Sequence, residues 1–248
     1  MLRGLSRLLI VAYFCASATF STNEAHAHGV TLKVHHFLPA DSPFHTKFLL
    51  PWLAKLEDES HGLLRFQVSP AMEMGQLYDQ VKNQTADIVW TAVGIPAGRF
   101  PAFEVFKLPL AVHSSKGSSR ALWEYVQAND LAKKEFAGVR LLAVQVSSVE
   151  SNEKAPVFSD VFIFAMNSKL YKTLSDDLRK VIIANSGAET SALLGKMLAN
   201  RGNVAPANQR RAQSVIDEKI KELDQRGLDG KELVDSARAL LTEFDPSE

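Results

Sequence analysis

The sequence predicts an α/β fold with a mostly parallel sheet, and three observations carry that reading. Strand-like and helix-like segments alternate as strand, helix, strand, helix, strand through residue 93, the order of βαβ units. The third of these strands, Ala86 to Val93 (ADIVWTAV), is almost continuously apolar, as a strand buried on both faces of a parallel sheet should be. From Tyr171 onward the pattern is helical, which supplies layers to cover the sheet.

The elements follow in order. Thr31 to Phe37 is the first strand and ends in a His-His-Phe-Leu-Pro turn. Ser42 is placed as an N-cap with Pro43 at the first helical position, and Trp52, Leu53 and Leu56 carry an apolar stripe to about Ser60. Gly62 stops that helix, and Leu63 to Val68 is the second strand. A short helix spans Gln76 to Gln84 before the apolar strand. Gly94 to Pro109 is irregular and rich in Pro and Phe. One helix is expected over about Lys116 to Phe136, then a strand at Val139 to Val146 (VRLLAVQV), a polar break at Ser147 to Pro156, and a strand at Val157 to Met166. Ser175 caps a helix with Asp176 and Asp177 in its first turn, where acids meet the positive end of the dipole. Asp229 and Glu232 form a capping box before Leu233 to Leu241, and Gly227 ends the preceding helix.

Composition removes several functional classes. With 28 basic and 28 acidic residues among 248, and 46% hydrophobic residues, the chain has neither the charge of a nucleic-acid binder nor the polarity of a disordered one. The single cysteine rules out an intramolecular disulfide and thiolate zinc sites. No GxSxG elbow, HExxH, P-loop or GxGxxG occurs, so no enzyme, cofactor or metal is expected. Arg3 and Arg7, the apolar run Leu8 to Phe20 and the small-x-small site Ala25-His26-Ala27 predict a cleavable export signal over residues 1–27. Cys15 lies within that run behind Tyr13-Phe14, which does not fit a lipid-anchor site. Beyond Ala27 no segment approaches the roughly 18 apolar residues of a membrane span, so a periplasmic protein, not embedded after cleavage, is expected.

Four blocks carry a resemblance. HHFLPADSPFHTKFLLPWLAKLEDES, SPAMEMGQLYDQVKNQTADIVWTAVGIPAGRFPAFEVFKLPL, FSDVFIFAMNSKLYKTLSDDLRKVIIANSG and LDQRGLDGKELVDSARALL together resemble the DctP-like solute-binding proteins of TRAP transporters. The resemblance implies a periplasmic-binding-protein-like fold of type II, a small organic acid as ligand and a TRAP membrane permease as partner. It also exposes a shortfall. Between LLAVQVSSVE and KAPVFSDVFIF the family carries a long segment that builds most of the second lobe and contributes a substrate-pairing arginine; here about Ser151 to Glu153 stand in its place. The loop before Gln76 and the stretch between Asn200 and Ala212 are also short. The expected organisation is therefore a first α/β lobe over 28–147, a hinge or crossing strand with a truncated second lobe over 148–168, and C-terminal helices over 169–248.

Ligand-binding candidates follow from strand ends, where open α/β sheets bind ligands. His36 and Phe37 close the first strand and Trp90 and Thr91 the third, and Phe158 and Asn167 bracket the returning strand. The resemblance implies that Gln76 and Asp79, which open the short helix, approach the ligand, though both also read as exposed helix-start residues. Alternation sends His35 and His36 to opposite faces, Trp90 is also readable as core, and Asn167 also as a cap. Arg99 is given a structural role, because the family's pairing arginine comes from the missing region. Two alternatives stay open. One is a remnant that no longer binds, with Phe158, Phe162 and Phe164 exposed or repacked where the second lobe is missing. The other is a copper site built on an N-terminal His28 with a partner among His35, His36, His45, His61 and His113.

Overall fold

The computed structural model describes residues 29–94, 97–148, 159–197 and 209–246. The expected signal, His28 and Phe158 lie outside the described residues. Among the described residues there is a single five-stranded sheet, ordered β2-β1-β3-β5-β4. Its strands are β1 (Val30–His36), β2 (Leu64–Ser69), β3 (Ile88–Ala92), β4 (Val139–Ser148) and β5 (Ser159–Asn167). β1 pairs in parallel with β2 and β3, whereas β5 runs antiparallel to both β3 and β4. Four strands thus share one direction and β5 alone is reversed.

The helices are a π-helical turn Phe44–Leu49 running into α1 (Leu50–Glu59), then α2 (Met74–Lys82), a 3-10 turn Phe103–Lys107, α3 (Ser115–Ala128), α4 (Leu131–Lys134), α5 (Ser168–Thr173), α6 (Asp176–Ala184), α7 (Ala188–Met197), α8 (Gln209–Gln225) and α9 (Gly230–Phe244). The helix ends singled out in the sequence carry the expected chemistry. Ser42 Oγ accepts the N–H of His45, Ser175 Oγ that of Leu178, and Asp229 that of Glu232. Gly62 and Gly227 adopt φ of +77° and +76°, the left-handed turn that ends a helix at little cost for glycine.

Three expectations need correction. The single helix over Lys116 to Phe136 is broken: α3 stops at Ala128, and Asp130, at φ +53°, redirects the chain into the short α4. The C-terminal helices do not all lie across the sheet. α7 does, with Ser191 Oγ accepting the N–H of Val144, but α9 packs on α3 and α8 on α9. Phe164 is fully buried, held edge-to-face by Trp52 and Phe48, so it is not a surface left bare. The close approach of α3 and α7 depends on Gly195, where a Cβ would stand 2.0 Å from Ser115 O.

Each face of the sheet has its own core. On one, Val89, Val93, Val144, Val146, Ile163 and Ala165 share a core with α2 and α3, which α9 and then α8 extend on the far side of α3. On the other, Leu32, Val34, Ile88, Trp90, Phe164 and Met166 meet the π-helical turn, α1, α6 and Leu194 of α7. The ladder between β4 and β5 slips at Leu142: Leu141 faces Ala165, but Ala143 faces Phe164. This one-residue bulge reverses which β4 side chains lie on which face from that point on.

Candidate functional site

At the carboxyl ends of β1 and β3, His36 and Trp90 are register partners, so their side chains leave the same face. Trp90 pairs across to Phe164 of β5, and Phe162 follows two residues before it on that face. Phe37 completes the group from the turn after β1. The rings of Phe37 and Phe162 lie nearly parallel to Trp90, with centroids 4.7 and 5.2 Å away, and Phe44 of the π-helical turn stacks on it at 3.9 Å. Offset stacking of this kind adds about 0.5–1.5 kcal/mol per pair beyond burial. Phe37 and Phe162 remain partly exposed, while Trp90 and Phe44 are buried.

His36 is fully buried and its Nε2 meets His45 Nδ1 at 2.7 Å. Burial first, then the neighbouring His45 and His35, pull its pKa down to about 4, so the imidazole is neutral at pH 7. Its Nδ1 and the Trp90 Nε1 have no hydrogen-bond partner among the described residues. Trp52 shows the contrast, donating its indole N–H to Asn185 O at 2.8 Å.

The other sequence candidates lie elsewhere. Thr91 points to the opposite face, where its hydroxyl donates to Met74 O at 3.2 Å. Gln76 is exposed and donates to Glu73. Asn167 stands at the far end of β5, beside the start of β3. It accepts the N–H groups of Lys169 and Leu170 and donates to Val81 O, so every part of its amide is used in joining α5 to α2. Arg99 pairs with Asp79 at 2.6 Å and covers the Tyr78 ring at 4.3 Å, a structural role that also lowers the Asp79 pKa through its hydrogen bond. Phe44, His45 and Phe162 are not among the ligand-binding candidates; His45 enters the sequence reading only as a possible copper partner and Phe162 only as an apolar surface. Their signals are a helix start at Ser42-Pro43 that aims its first turn at the sheet, and the period-2 spacing of Phe162 from Phe164.

Among the described residues no three His, Cys, Asp or Glu side chains gather as a metal site, and no helix is long and apolar enough to cross a membrane. The loop Ser69 to Glu73 is fastened over the site's edge, Met72 N donating to His36 O at 3.0 Å and Ala71 N to Leu38 O at 2.9 Å.

Comparison with known proteins places this arrangement. The family model described as bacterial extracellular solute-binding protein, family 7 (DctP), matches residues 34–157. A TRAP solute-binding protein from Rhodoferax ferrireducens T118, solved with copurified benzoate, superposes with a TM-score of 0.76 at 26% identity, covering 87% of this chain and 98% of that one. A marine-metagenome TRAP solute-binding protein specific for aromatic acid ligands, in complex with metahydroxyphenylacetate, shares the fold at a TM-score of 0.77 and 24% identity, covering 87% of this chain and 99% of that one. The outer membrane transporter protein TsaT of Comamonas testosteroni is 25% identical over 131 residues, 51% of this chain and 39% of that protein. The chain thus spans about two fifths of that curated relative. The family match over residues 34–157, half the chain, leads to one assignment: this protein belongs to the bacterial extracellular solute-binding proteins of family 7.

Proposed function

We propose that the protein is an extracytoplasmic solute receptor that binds a small, flat organic acid and delivers it to a TRAP-type membrane permease, without catalysis and without a cofactor. The observation that carries the ligand class is the trio of near-parallel rings, Phe37, Trp90 and Phe162, at the carboxyl ends of the parallel strands. Stacked plates of this kind accept a planar ring by burial and quadrupole contact. The Rhodoferax relative, which holds benzoate, supports the same class. The export signal expected over residues 1–27 supports a periplasmic location, where such a receptor meets its permease.

Affinity should be modest. The family resemblance implies an acid-pairing arginine in a segment that is short in this sequence, and a charge-assisted bond contributes about 1.5–3 kcal/mol. Its loss corresponds to roughly one to two orders of magnitude in Kd. Calorimetry of the processed chain with benzoate, mandelate, succinate and lactate tests the proposal. Benzoate binding above the micromolar range is expected. Absence of binding to every acid in the panel overturns the receptor reading and leaves a remnant that has lost its ligand.

A further inference from the structure

Gln145 of β4 is fully buried, yet neither its Oε1 nor its Nε2 has a hydrogen-bond partner among the described residues. Each unpaired buried polar group costs about 1–3 kcal/mol, and folded interiors keep few of them. An apolar residue of similar size would remove that cost. The position therefore needs a reason other than packing.

The register supplies one. Gln145 stands directly opposite Phe162, whose ring lies 5.2 Å from Trp90, and Trp90 in turn stands opposite His36. The unpartnered atoms of three buried strand residues, Gln145, Trp90 and His36, thus share one face of the sheet with the aromatic cluster. The bulge at Leu142 delivers Gln145 to that face. Before the bulge Arg140 shares a face with Met166; after it Ala143 and Gln145 do so with Phe164 and Phe162. Without the extra residue Val144 would lie there and Gln145 would enter the opposite core. Bulges that re-aim a side chain recur beside binding sites.

We propose that the Gln145 carboxamide and the Trp90 indole N–H form the polar end of the site, donating to the carboxylate of a flat monocarboxylic acid whose ring rests against Phe37 and Phe162. The inference rests on the receptor reading above and adds how the acid group is recognised: by neutral donors, with no guanidinium. A carboxylate accepts only, the indole donates only, and the amide offers two donor hydrogens, so the pairing satisfies Trp90 Nε1 and Gln145 Nε2, while the amide Oε1 is left for a hydroxyl donor. His36 Nδ1 joins as a third donor in the tautomer whose Nε2 accepts from His45. The arginines nearest in sequence are otherwise engaged, Arg140 over the Tyr171 ring at 4.3 Å and Arg99 with Asp79. Among the described residues a second carboxylate on the ligand would meet aromatic surface and no cation, so monoacids should bind in preference to diacids.

Benzoate titrations of the wild type and Gln145→Met decide the matter. The variant keeps the length of the side chain and removes both polar atoms. At least tenfold weaker benzoate binding in Gln145→Met, with urea stability equal to or above wild type, is expected. Equal affinity in the two proteins overturns the proposal and leaves the receptor reading standing. A wild type that binds none of the panel acids overturns both. If Gln145→Met does not fold, the side-chain amide signal of Gln145 in the nitrogen-15 spectrum of the wild type answers instead. A downfield shift of its amide protons at saturating benzoate supports the assignment, and an unmoved signal overturns it.

Discussion

The two faces of the sheet are both buried, but they treat polar groups differently. On the face of Val89, Ile163 and Val144, polar side chains close their bonds: Thr91 to Met74, His35 to Gln80, and Tyr125 of α3 to Ala102. On the other face His36, Trp90 and Gln145 each keep an unpartnered atom among the described residues. Every strand residue with such an atom lies on that one face; the remaining cases, Ser115 and Arg120, belong to α3. This difference between two faces that both look apolar in sequence is what supports a ligand on one of them.

The sharpest way to break the comparison is to damage each face in turn. Ile163→Ala, at a fully buried site on the closed face, should cost about 2–5 kcal/mol in urea unfolding and leave benzoate affinity unchanged. A parallel loss of affinity would show that the faces are not separable. Next in size is acid. His36 takes its proton near pH 6.5 when unfolded and near 4 when folded, so between these values the unfolded chain holds the extra proton. Stability from this group is complete above about 6.5 and is lost as pH falls toward 4, by roughly 2–3 kcal/mol. Urea melts at pH 7 and 4.5 should show the fall, and His36→Asn should flatten it. Phe162→Ala comes third: the ring is half-buried, so about 1–2 kcal/mol of stability is lost, while benzoate binding weakens at least tenfold by calorimetry. Smallest is Arg99→Ala. Its partly exposed pair with Asp79 should contribute under about 1 kcal/mol, with no change in ligand affinity.

Much of the fold is legible in the sequence because its signals are local. The parity of ADIVWTAV, the caps at Ser42, Ser175 and Asp229, and the stops at Gly62 and Gly227 each act within a few residues. The break at Asp130 is missed because a left-handed aspartate leaves no mark in an otherwise helical stretch. The site is only half legible. His36, Phe37 and Trp90 lie together, and strand ends announce them. Thr91 and Trp90 are adjacent in sequence, but the pleat sends them to opposite faces. Asn167 is drawn away by bonds to Val81, Lys169 and Leu170 that link remote segments. Gln145 is hidden for a different reason. Its face is set by a bulge, and VRLLAVQV gives no sign of where the register slips.

The sheet order has a consequence for how the molecule is made. β3 and β4 do not pair with each other; both wait for β5, the last of the described strands, to come between them. Until Asn167 has left the ribosome, an apolar strand edge at Ile88–Ala92 stays open, and so does the whole of β4. Such edges recruit other chains if they linger. A nascent protein built this way can pair β2, β1 and β3 early, but only with the outer edge of β3 left bare. It gains by staying unfolded until synthesis is complete, which is also the state that a translocation channel accepts.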